Sequence, residues 1–69
     1  MVPTYSVSEI KTLLPLLDLP QVNLLEEVCK EEANCYNGEE LATINMLVYN
    51  ARKNLAVNQL QVEYLLSFN

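Results

Sequence analysis

Leu41, Ile44, Val48, Ala51 and Leu55 recur at steps of 3, 4, 3 and 4, the spacing of one face of an α-helix. Leu47 widens that stripe, Glu39 and Glu40 stand in its first turn, and Arg52 and Lys53 stand in its last. Negative charge thus meets the positive end of the helix dipole, and positive charge the negative end. A helix over about residues 39–55 is the element around which the rest of the chain must pack.

The first half reads as two shorter helices. Ser6 and Glu9 have the spacing of a capping box, and Ile10, Leu13, Leu14 and Leu17 follow with helical period. Pro15 interrupts the stripe, removing a backbone donor and disfavouring the αR region at Leu14. The first helix is therefore expected over about 6–14. Asp18-Leu19-Pro20-Gln21 offers an N-cap, a first-turn proline and an N3 glutamine. The second helix is expected over about 19–34, with Val22, Leu25, Val28, Cys29 and Ala33 on its apolar arc and Leu24 at the edge. Glu32 falls inside that arc. Glu31 and Glu32 both oppose the dipole there, so the expectation is a frayed last turn with both side chains in water.

Asn37-Gly38 punctuates the chain. Further on, Asn58 with Gln61 suggests another cap and a fourth helix over about 59–67, its stripe being Val57, Leu60, Tyr64 and Phe68. Leu60-Gln61-Val62-Glu63-Tyr64 also alternates like a strand, but a lone strand needs a partner, which only Val2–Val7 could supply. Helix is the favoured reading. The fold class is all-α: a small bundle of three to four short helices, one domain over residues 1–69.

At 69 residues a compact monomer exposes roughly 4,400 Å². At this size the gain from burial and the cost of ordering nearly cancel, so association with a partner is a natural source of extra stability. Hydrophobic residues at 51% exclude a disordered chain. No apolar run approaches the roughly 18 residues that cross a membrane. Met1-Val2-Pro3-Thr4-Tyr5 has neither the basic nor the apolar region of a secretion signal, so the expected location is cytoplasmic.

Nine acids against four bases give a net charge of −5, which argues against direct nucleic-acid or anionic-membrane binding. Residues 26–40 hold six of the acids and one base, Lys30, and so carry the whole excess. Cys29 and Cys35 stand without any histidine. Two thiolates fall short of a zinc site, and within one helix they would lie about 9 Å apart, beyond disulfide reach. They are expected as reduced thiols, with Cys29 in the core, and no metal or cofactor is expected. Without histidine a Ser or Cys nucleophile lacks its usual base, and a single glycine cannot build a phosphate loop. Catalysis is not expected. A helix-turn-helix would aim Glu39 and Glu40 at phosphates.

What remains is surplus apolar surface. Ala42, Met46 and Tyr49 lie roughly opposite the Ile44–Val48 stripe, and on the fourth helix Val62 and Leu66 lie roughly opposite Leu60 and Tyr64. Either the 39–55 helix is central and surrounded, or an apolar patch is exposed, which marks an interface. The leading expectation is a small acidic intracellular interaction module, an adaptor or regulator. It would bind another protein through Met46, Tyr49, Val62 and Leu66, with homodimerisation as one form of that binding. The alternative is an acidic inhibitor or nucleic-acid mimic, whose Glu26, Glu27, Glu31, Glu39 and Glu40 occupy a basic groove. A third class, a plain structural subunit, predicts poor solubility in isolation.

Overall fold

The computed structural model describes residues 2–67; in the last helix, side chains at 59, 61–64 and 67 lie outside that description. The first helix, α1, spans Val7–Leu13 and starts where the sequence places it. The Ser6 hydroxyl oxygen accepts from the Glu9 amide at 3.1 Å. Pro15 does not send Leu14 out of the helical region, contrary to expectation: Leu14 keeps φ −51°, ψ −43°. The chain tightens instead into a 3₁₀ turn over Leu14–Leu16 and leaves it at Leu17. Proline sits at the start of that turn, where its missing N–H removes no bond.

The second helix, α2, spans Leu19–Glu31 and carries the full reciprocal cap. Asp18 Oδ1 accepts from the Gln21 amide and Gln21 Oε1 from the Asp18 amide, both at 3.0 Å. It ends three residues before the expected 34. Glu32 leaves the helix and Ala33–Cys35 form a second 3₁₀ turn. Glu32 is no frayed, solvated acid. Its carboxylate accepts from the Thr4 amide at 3.1 Å and the Thr4 hydroxyl at 2.9 Å, tying the N-terminal segment to the end of α2.

The third helix, α3, spans Gly38–Ser67 and is continuous, so the expected break near Asn58 does not occur. Asn37 and Glu40 supply its cap, with Asn37 Oδ1 accepting from the Glu40 amide at 2.8 Å and Glu40 Oε1 from the Asn37 amide at 3.0 Å. Beyond Gly38 there is no Pro or Gly to stop it. One interior Asn costs a few tenths of a kcal/mol more than a good helix former, whereas a break would orphan several backbone N–H and C=O groups. The strand alternative for 60–64 falls with it, since those residues are helical and no strand occurs among the described residues.

Ile10 and Leu14, Val22, Leu25 and Cys29, Tyr36, and Ile44 and Val48 form the buried core. Around it pack Tyr5, Val7, Leu17, Leu41, Leu47, Ala51 and Leu55. The described packing closes at Leu55. The last dozen residues of α3 therefore run on for about 18 Å beyond the bundle. The result is a rod of 53 × 17 × 17 Å with a radius of gyration of 14.4 Å, against about 11 Å for a compact chain of this length. The 39–55 segment is not a surrounded central helix: α1 and α2 cover one side only, leaving Met46 and Tyr49 in water.

Candidate functional site

An α-helix repeats its direction after 18 residues, five turns. On the uninterrupted α3 this fixes which surface residues share a face. Position 62 follows Ile44 by 18 residues and position 66 follows Val48, so Val62 and Leu66 belong to the core-side stripe. Position 60 follows Ala42 in the same way, so Leu60 joins Met46 and Tyr49 on the outer side. The four residues expected to form one surface thus divide into two opposite pairs. Met46 is 57% exposed, Tyr49 66% and Leu66 67%; the Val62 side chain lies outside the described residues. The sequence reading failed here because two separate helices can take independent phases, and one continuous helix cannot.

Leu60 and Val57, which sequence reasoning left out of the interaction set, are exposed beside the Met46–Tyr49 face. Periodicity had placed Leu60 on a core stripe; only the missing break reassigns it. On the core side, Leu65 is also exposed past the end of the bundle. Where that side emerges, an apolar notch of about 210 Å³ opens between the first 3₁₀ turn and α3, lined by Leu14, Pro15, Leu17, Leu47, Ala51 and Leu55 among others.

The acidic segment is less uniform than its charge suggests. Glu26 does not present a free carboxylate. Arg52 grips it with two guanidinium nitrogens at 2.8 and 2.9 Å, while Asn23 Oδ1 accepts from the same guanidinium at 2.7 and 3.1 Å. Lys30 stands 3.5 Å away. Glu40 caps α3 and Glu32 holds Thr4. Glu27, Glu31 and Glu39 are exposed, and their carboxylates have no hydrogen-bond or ion-pair partner among the described residues. The sequence separates these groups only in retrospect: Asn23, Glu26 and Lys30 line one edge of α2 at i, i+3 and i+7, beside the apolar arc.

The Arg52 fork holds the Glu26 carboxyl below the ordinary carboxylate range, with burial opposing and the remaining attraction of Arg52 and Lys30 assisting. A depressed carboxylate contributes stability above its unfolded pKa and loses it as pH falls through the folded one. Arg52→Met should therefore lower stability near neutral pH by about 1 kcal/mol, the modest value reflecting a partly solvated pair. The difference from wild type should close as pH falls below about 4. Thermal melts across that range check it; a gap independent of pH would mean that Arg52 acts only through packing.

Tyr36 was absent from the expected core and belongs to it. It is 7% exposed and its hydroxyl donates to the Tyr5 carbonyl. Burial, with Cys29 as a neighbour, pushes its phenol up to about 12. Burial likewise pushes the Cys29 thiol up. Both cysteines are free, Cys29 at 3% exposure and Cys35 half-buried. A thiol reagent at neutral pH should label Cys35 first and Cys29 slower by at least about tenfold, because the reactive form is an accessible thiolate. Equal rates would contradict the packing of α2.

Among the described residues no three His, Cys, Asp or Glu side chains gather as a metal site, and no helix is long and apolar enough to cross a membrane. On the outer side of α3, Met46, Tyr49, Val57 and Leu60 are exposed together. No protein-family model, no curated protein and no solved structure matches the chain.

Proposed function

We propose that this chain is a small intracellular interaction module that binds another protein through the outer apolar side of α3. One observation carries the reading: Met46, Tyr49, Val57 and Leu60 are 45–66% exposed along a single side of one helix. Exposed apolar surface of this extent marks interfaces, and Met and Tyr are residue types enriched in them. The two free thiols suit a reducing compartment.

The acidic-mimic reading is weaker, because Glu26 is already neutralised by Arg52 and Glu40 is engaged in a cap. Only Glu27, Glu31 and Glu39 of its five acids remain unengaged among the described residues. A photoreactive amino acid placed in cells at position 46, 49 or 60, and separately at 27 or 31, distinguishes the two. Adducts from the α3 positions alone are expected. Adducts from 27 and 31 alone would reject the apolar module in favour of the mimic.

A further inference from the structure

The N-terminal segment is held to the bundle by side chains alone. Among the described residues no backbone–backbone hydrogen bond involves residues 2–5, and α1 begins only after them, on its Ser6 cap. Two contacts tie the segment down, each to a residue about thirty places along the chain. Glu32 Oε2 accepts from the Thr4 amide at 3.1 Å and the Thr4 hydroxyl at 2.9 Å, and Oε1 accepts from the same amide at 3.3 Å. The Tyr36 hydroxyl donates to the Tyr5 carbonyl. Val2 is 91% exposed and Tyr5 only half-buried. A segment with so few buried apolar contacts and no ladder of backbone bonds opens at far lower cost than the whole fold.

Tyr36 and Cys29 lie inward of it, packed in the same core, and the Tyr36 phenol reaches the Cys29 thiol. Tyr5, Tyr36 and Cys29 thus stand in a row from the surface segment to the interior.

We propose that residues 2–5 are a strap that opens as a unit while the three helices stay folded, with Glu32 as its latch, and that this opening gates Cys29. Ser6 is the hinge. Its hydroxyl oxygen stays on the Glu9 amide, so α1 keeps its cap when the strap lifts. Opening returns Thr4 and Glu32 to water, where both regain hydrogen bonds, and the net cost is therefore small. It also takes away the acceptor of the Tyr36 hydroxyl and frees the phenol to turn away from the thiol. Cys35, in the neighbouring 3₁₀ turn, is half-buried with the strap closed and needs no such step. The strap is independent of the outer side of α3, so the failure of one reading leaves the other standing.

Thiol labelling of the full chain in a Cys35→Ser background, with circular dichroism to confirm helicity, tests the latch. Where closing outpaces the chemistry, the labelling rate follows the open fraction. Glu32→Ala should speed Cys29 labelling about five- to tenfold, since hydrogen bonds to a charged acceptor are the stronger ones. Thr4→Val removes the hydroxyl but keeps the amide, and should speed it about two- to threefold. The two changes act on one latch, so the double variant should label within about twofold of Glu32→Ala. The wild-type rate should barely change in low urea, because lifting a strap exposes little surface. A rate unmoved by Glu32→Ala would mean that the thiol is reached by another path and would overturn the gate. A rate that climbs with urea as steeply as global unfolding would overturn the strap, because the whole fold would then be opening.

Discussion

Ile44→Ala should leave the chain mostly unfolded at 25 °C when measured below its association range. Ile44 is 2% exposed at the centre of the bundle, where α3 meets the core residues of α1 and α2. Removing a buried isoleucine down to alanine costs about 2–5 kcal/mol, part transfer and part residual cavity. A single core of this size supplies only about 3–5 kcal/mol in total. The loss is therefore comparable to the whole stability. Leu16→Ala is the control, because Leu16 is 77% exposed on the first 3₁₀ turn and its truncation should change stability by less than about 0.5 kcal/mol. Denaturant titration of both variants reads the difference. If Leu16→Ala costs as much as Ile44→Ala, the core is not the one described.

That core was largely legible, and for a definable reason. Ser6 with Glu9 and Asp18 with Gln21 are short-range signals whose partners lie within one turn, so sequence spacing and geometry say the same thing. The 41–55 stripe is equally local, and it packs on α1 and α2 as its period requires. Tyr36 and Glu32 were missed because their partners, Tyr5 and Thr4, lie about thirty residues away in sequence. No spacing rule brings such residues together. The Asn58 break was read from an Asn-x-x-Gln spacing that is common in helix interiors, at a place with no Pro or Gly to enforce it. Its cost exceeded one boundary. An error in where a helix ends becomes an error in phase, and phase decided which of Val62, Leu66 and Leu60 stands with Met46 and Tyr49.

Tyr49→Glu should convert an associating chain into a monomer that keeps its fold, the largest effect expected of any surface substitution. Tyr49 is 66% exposed in the single chain, so the substitution removes no core contact, and helicity at low concentration should be unchanged. Where the outer side of α3 meets a partner, the ring is covered. Burying such a side chain contributes about 1.5–3 kcal/mol. A glutamate there adds the desolvation of a carboxylate with no cation opposite. The dissociation constant should therefore rise at least about tenfold. The wild-type melting temperature, which should climb with protein concentration because association stabilises the folded form, should lose that dependence in the variant. Leu66→Glu supplies the opposing case. Leu66 is just as exposed, but it stands five turns beyond Val48 on the core side, away from Met46 and Tyr49. If association survives Leu66→Glu and fails with Tyr49→Glu, the interface is the outer side of α3. The reverse outcome would place it on the core-side stripe where that stripe outruns the bundle, with Leu65 and Leu66 in contact.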